Sequence, residues 1–215
     1  MRRGILGELS RLDRAVYDAV AGQDTPGLDR PLRALSRIAD KSVLWAGLSV
    51  GLGVLGGDPG RRAATRAMAS VAVTSAVANL GLKPLSARRR PRRDRHALPS
   101  ERVVTMPGSS SFPSGHSASA FAFATAVGTE MPALALPMGA LATLVAYSRV
   151  HTGVHYPGDV IAGAVIGVAV GHVVTRQIDR RVGATAGLVA VGAEQTAPAF
   201  LPSDDTGGVG HAHGR

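Results

Sequence analysis

The stretch Ser111-Phe112-Pro113-Ser114-Gly115-His116-Ser117 sets a chain-breaking proline and glycine beside a histidine, just before an Ala-rich apolar run. That is the pattern of a helix N-terminus. Its unpaired N–H groups and positive dipole end make a site for an anion. Gly115 leaves the backbone open to close approach, and His116 adds a group that titrates near neutral pH. Further along, His155 and Asp159 stand four residues apart, which places an imidazole and a carboxylate on one helix face. Lys83, Arg90 and Arg149 are cations at the margins of other apolar runs. Taken singly, each cation reads as a boundary anchor, and His155 with Asp159 as a structural cap or pair. Taken together they describe one phosphate-sized site, with fixed positive charge around it and two imidazoles able to act on its contents.

Such a site needs four helix ends to meet. Charge is distributed unevenly along the chain, and five runs are almost free of it: 42–57, 67–82, 117–129, 131–147 and 160–175. Each falls at or below the ~20 residues of a typical membrane span. A soluble bundle puts a polar stripe on every helix, whereas these runs carry Gly, Ala, Ser and Thr, which suit close packing in a bilayer. The expected fold is therefore all-α, an integral-membrane bundle of about five transmembrane helices. Ahead of it, Ile5, Leu9, Leu12, Val16 and Val20 recur at helical spacing and predict an N-terminal amphipathic helix, lying on a membrane or on its own domain. Residues 22–29 and 58–62 read as a loop and a turn. The expected domains are 1–36 for the amphipathic region, 37–181 for the bundle, and 182–215 for a largely disordered Pro/Gly/Asp-rich tail.

With five spans, Lys83, Arg90, Ser114, Gly115, His116, Arg149, His155 and Asp159 fall on one face. That face carries 17 of the 24 Lys and Arg residues and the other carries 7, so the positive-inside rule turns the site toward the cytoplasm. The net charge of +9 suits a phosphate-bearing partner or an anionic membrane surface. Nucleic acid is not expected, since only eight residues are aromatic and no recognition motif appears. No cysteine is present, which excludes disulfide and thiolate chemistry, and the basic N-terminus runs into mixed charge unlike a cleavable signal peptide. His151 reads as a neighbour of the site or solvent-exposed, and His172 as a helix-packing residue. His211 and His213 have too few companions for a metal site. The surplus cations Arg88, Arg89, Arg92, Arg93 and Arg95 suit an anionic headgroup or lipid.

Three spacings now stand in order: Lys83, six residues, Arg90-Pro91; Pro113-Ser114-Gly115-His116; and Ser148-Arg149, five residues, His155, three residues, Asp159. Across roughly residues 40–175 the chain resembles the type 2 phosphatidic acid phosphatase superfamily, with no departure at a signature position. The resemblance implies a membrane phosphoric monoester hydrolase without cofactor or metal. His155 would be the nucleophile and form a phosphohistidine, Asp159 would orient it, and His116 would be the general acid. Lys83, Arg90, Arg149, Ser114 and Gly115 would cradle the phosphate. The implied substrate is a lipid phosphate, polyprenyl-linked or glycerolipid, with the bilayer as partner. By analogy, a cytoplasmic site in a chain this rich in Gly, Ala and Arg points to actinobacterial decaprenylphosphoryl phosphoribose phosphatases. Other readings are an outward-facing undecaprenyl pyrophosphate phosphatase, a vanadate-dependent haloperoxidase-like enzyme, and an inactive lipid-phosphate binder. Oligomeric state is not legible.

Overall fold

The computed structural model describes residues 2–93, 96 and 98–196. All regular structure among them is helical, without a strand. The chain divides into two compact units, Met1–Ile178 and Asp179–Arg215.

The N-terminal helix α1 (Arg2–Ala21) forms as its periodicity predicts. Tyr17 and Ala21 are buried with Ala146, Val150 and Val160, while Ile5, Leu9, Leu12 and Val16 face outward. A polar contact tightens the docking, because Asp13 accepts a hydrogen bond from the Gly158 N–H at 2.6 Å. Helix α2 (Pro26–Ile38) starts earlier than the predicted loop allows. Pro26 takes the first helical position, where its missing N–H costs nothing and its ring presets φ.

Between α2 and α3 (Val43–Leu55) lies a 3₁₀ turn, Asp40–Ser42, and the two helices bend by 65° across it. Lys41 and Ser42 both adopt left-handed φ, 51° and 61°. Neither residue type announces such a kink.

Helix α4 (Gly57–Ala76) absorbs residues 58–62, which were expected to form a turn. The actual corner is at Gly56 and Gly57, with Gly57 at φ 60°. Packing there is so close that a Cβ on Gly60 would lie 2.1 Å from the Leu52 carbonyl oxygen. Helix α4 continues through a π-helical turn, Val77–Leu82, into a 3₁₀ turn that starts at Lys83.

Three more helices follow: α5 (Gly115–Glu130), α6 (Ala135–His151) and α7 (Pro157–Thr196). The last extends into the segment expected as a disordered tail. Residues 182–196 contain no proline to stop the helix, and their alanines favour its continuation. The tail beyond, with His211 and His213, and Arg95 of the basic loop lie outside the described residues.

The core is built on small side chains. Trp45 of α3 packs on Phe123 of α5 at 5.0 Å between centroids, surrounded by Ala67, Val71, Ala120, Ala142 and Val145. Glycines 163, 167 and 171 recur every fourth residue on α7 and form a seam against α5. A Cβ on Gly167 would stand 2.2 Å from the Ala118 carbonyl oxygen, and one on Gly163 2.5 Å from that of Ser114. This close backbone approach fixes the start of α7 beside the start of α5.

By length and composition, Pro132–His151 and Pro157–Thr185 can cross a membrane, and the bent pair α2–α3 makes a third candidate. The five expected runs fall mostly in helices, but α3 and α5 have 13 and 16 residues. At 1.5 Å per residue those are roughly 20 and 24 Å, short of a ~30 Å hydrocarbon core. The first turns of α4 are charged, and its Arg62 and Arg66 pair with Glu130 at the far end of α5.

Candidate active site

The end of α6 supplies two of the groups. Arg149 lies in its last turn, and the chain then closes a Schellman motif, with Gly153 N–H bonded to Val150 O and Val154 N–H to Arg149 O. Gly153 takes φ 69°, a left-handed value that explains the residue type. This tight stop swings His155 back over the helix it left, and its own N–H also bonds to Arg149 O at 3.2 Å. Four residues on, Asp159 occupies the first turn of α7.

Asp159 is fully buried and its carboxylate is well supplied with donors. Oδ1 accepts from Arg88 at 2.8 Å, and Oδ2 accepts from the Tyr156 N–H at 2.9 Å and from the Ser111 hydroxyl. His155 Nδ1 faces the same Oδ2 at 3.4 Å. A carboxylate only accepts, so the Nδ1 proton belongs on that side and Nε2 keeps its lone pair. Arg90 donates to Nε2 at 3.2 Å, while its other N–H groups reach the carbonyls of Val154, Ser109 and Ser110. Burial pushes the His155 imidazole down to about 4, against the pull of Asp159 and with the help of Arg90. The imidazole is therefore neutral at physiological pH.

The start of α5 sits against the same place. Ser114 caps the helix through its side chain, which accepts from Ser117 N–H, and its own N–H donates to Asp159 O at 3.0 Å. Ser117 Oγ in turn donates to Val160 O at 2.6 Å. Two helix N-termini thus converge on one point, and their dipoles favour an anion there. Lys83 arrives from the end of α4, held by Asn79 Oδ1 at 2.8 Å. A Cβ on Gly115 would lie 3.6 Å from its Nζ. Burial, then Arg90 and Arg149, lower the Lys83 ammonium below its ordinary range, as expected where cations crowd a place meant for negative charge.

Arg149 is 1% exposed, and its Nη1 donates to the Ser36 carbonyl at 3.3 Å and to its hydroxyl. Its Nε is buried without a partner. An orphaned donor of this kind suits an anion oxygen. His116 presents Nε2 to Asp40 Oδ1 at 2.6 Å, and the same oxygen lies 3.9 Å from Arg149.

All eight residues expected from the sequence thus belong to one connected set. What the sequence reading missed are their long-range partners: Ser36 and Asp40 from the α2–α3 bend, Asn79 from the π turn, Ser111, and Arg88. Arg88 bridges Asp159 to Asp13 of α1. His151 is not in the site. It is buried with Arg102 and Asp29 in a separate ion cluster, Nε2 to Asp29 Oδ1 2.9 Å and Arg102 Nε to Asp29 Oδ1 3.0 Å. His172 is exposed on α7 and lines a groove with Phe121 and Gly128.

Two hollows adjoin the set. A cavity of about 200 Å³ is lined by His116, Lys83, Gly115, Asn79 and Trp45. A mainly apolar groove of about 400 Å³, with Met68, Val71, Ala76 and Leu80, shares Ser42, Ser75 and Asn79 with it.

Comparison with known proteins gives one picture. The sequence model of the PAP2 superfamily matches residues 63–182. The decaprenylphosphoryl-5-phosphoribose phosphatase of Mycobacterium tuberculosis is 36% identical over 155 residues, which is 70% of this chain and 81% of that protein. That of Mycolicibacterium smegmatis is 35% identical over 153 residues, 69% of this chain and 77% of that protein. Among solved structures, a transmembrane PAP2-type phosphatidylglycerolphosphate phosphatase from Bacillus subtilis aligns with TM-score 0.61 at 22% identity, covering 81% of this chain and 87% of that one. Aquifex aeolicus LpxE aligns with TM-score 0.59 at 24% identity, covering 77% and 95%. At these identities the structural likeness is one of fold.

Proposed function

This chain belongs to the PAP2 superfamily and is a membrane phosphoric monoester hydrolase; from that premise we propose that it removes the terminal phosphate of a polyprenyl-linked phosphosugar through a phosphohistidine. The substrate class rests on the mycobacterial relatives, whose sequences it shares over most of its length. The observation that carries the mechanism is the placing of His155, with Nδ1 toward Asp159 and Nε2 facing the Arg90 guanidinium at 3.2 Å.

In this reading the phosphate enters between Arg90 and His155. Its non-bridging oxygens are taken by Arg90, Lys83, the free Nε–H of Arg149, Ser114 and the Gly115 N–H. Fixed donors and cations here spread the charge of the transition state, so no metal is needed for that task. Nε2 attacks phosphorus in line, the P–N bond forms, and the P–O bond to the sugar breaks. The leaving oxygen takes its proton from His116. Water then attacks phosphorus, giving its proton to the now neutral His116, and orthophosphate leaves with His155 restored. The apolar groove beside the cavity is where the prenyl chain would lie, keeping the lipid in the bilayer. The bundle is read as five spans, α3 to α7, with 37–181 as the phosphatase domain, the site facing the cytoplasm and the protein in the cell membrane.

The test is phosphate release from purified lipid phosphates in detergent, with and without EDTA. His155→Ala is expected to abolish release and acid-labile labelling of the protein by ³²P-substrate, and EDTA to change nothing. Turnover retained in His155→Ala removes the covalent mechanism. Preference for a glycerolipid phosphate over a polyprenyl phosphosugar removes the substrate assignment.

A further inference from the structure

The two histidines of the site are held in matching ways. His155 has Asp159 on one ring nitrogen and the phosphate position on the other. His116 has Asp40 on Nε2, 2.6 Å from Oδ1, which leaves Nδ1 for the leaving group. Asp40 belongs to none of the three spacings that mark the site. It reaches His116 across 76 positions of sequence because the chain breaks between α2 and α3. Lys41 and Ser42 make that break in consecutive left-handed conformations, which L side chains avoid. Unfavourable backbone of this sort persists where its surroundings demand it, and it clusters at functional sites.

We propose that Asp40 is the positioning residue of the general acid, fixing the His116 ring through Nε2 and holding its proton for delivery to the leaving oxygen. The charges around His116 explain the need. Lys83 lines the same cavity as His116, and Arg149 lies 3.9 Å from the Asp40 oxygen that His116 contacts, so a protonated imidazole stands among cations with Asp40 as the opposing negative charge. With Asp40 in place, His116 can be imidazolium when the P–O bond breaks and can give up the Nδ1 proton without turning. In the second half of the cycle the same contact orients neutral His116 toward water. Asp40 also lies 3.9 Å from Arg149, a cation that favours its ionised form.

This inference rests on the phosphohistidine reading, and the experiment separates the two. Leaving-group release is followed in a single turnover for two substrates with the same tail: an alkyl phosphate, whose alkoxide needs a proton, and a nitrophenyl phosphate, whose phenolate does not. Asp40→Asn is expected to slow the alkyl phosphate by about 10² and to leave the nitrophenyl phosphate within about threefold, the size of effect general acid catalysis supplies. Asp40→Glu should recover part of the alkyl rate. His116→Gln should give the same selectivity, and adding Asp40→Asn to it should cost little more. Equal slowing of both substrates by Asp40→Asn, or of neither, overturns the proposal even if His155→Ala is inactive. Activity retained in His155→Ala instead points to failure of the underlying mechanism. Thermal unfolding of Asp40→Asn in detergent, expected near that of the parent, separates a folding defect from a chemical one, and Asp40→Glu carries the test if Asp40→Asn is unstable.

Discussion

At the scale of single residues the site sorts its titratable groups by environment. His155 is sealed from water, and that burial, with Arg90 beside it, outweighs the buried Asp159 at its other nitrogen. A histidine with an ordinary pKa near 6.5 when unfolded and about 4 when folded leaves the unfolded state holding more protons between those values. Its contribution therefore lowers stability as pH falls through that window, and the folded protein keeps the imidazole neutral until about pH 4. An ¹⁵N-imidazole titration in micelles, with His155 assigned by His155→Gln, should show a neutral ring at pH 5.5. A midpoint near 6.5 would mean that water reaches the ring. Such residues were legible in advance where helix ends and short spacings fixed them: His155 with Asp159, or Ser114 with His116. Ser36, Asp40 and Ser111 were not, because hydrogen-bonded partners 113, 76 and 48 positions apart obey no local periodicity. Only the packing brings them in.

Among elements, the placement of α5 against α7 decides whether the site exists. Their seam has no side chain at the α7 glycines, so Ser114 N–H reaches Asp159 O and the two helix starts lie side by side. Gly167→Val would drive methyl groups into the Ala118 carbonyl. Overpacking of this kind costs about 1–3 kcal/mol and often more where backbone must move. The expected result is a lower unfolding temperature and phosphate release reduced at least tenfold, although no site residue is touched. A fully active, equally stable Gly167→Val would mean the helices are not in backbone contact. The helices themselves were readable from apolar runs, but their ends less so. Residues 22–29 and 58–62 read as a loop and a turn, yet Pro26 and Pro59 sit in first helical turns, where proline is tolerated. The left-handed pair Lys41–Ser42 carries no glycine to betray it, and the π turn at 77–82 leaves no pattern in sequence.

For the molecule as a whole, the lack of cysteine makes orientation directly measurable. Thr105 lies in the basic loop on the site side, and Asp58 at the opposite end of α4; both are exposed. In intact cells a membrane-impermeant maleimide should label Asp58→Cys and spare Thr105→Cys until the membrane is opened. The reverse pattern would turn the site outward and with it the class of lipid that can reach it. At this scale the least expected feature is the reach of α1. Asp13 takes the Gly158 N–H and Arg88, and Arg88 takes Asp159, while Ile5, Leu9, Leu12 and Val16 remain on the outer side. The supports of Asp159 thus extend beyond the stretch the signatures delimit. Helix α1 acts as a buttress for Asp159, and any trimmed version that begins at α2 discards that strut.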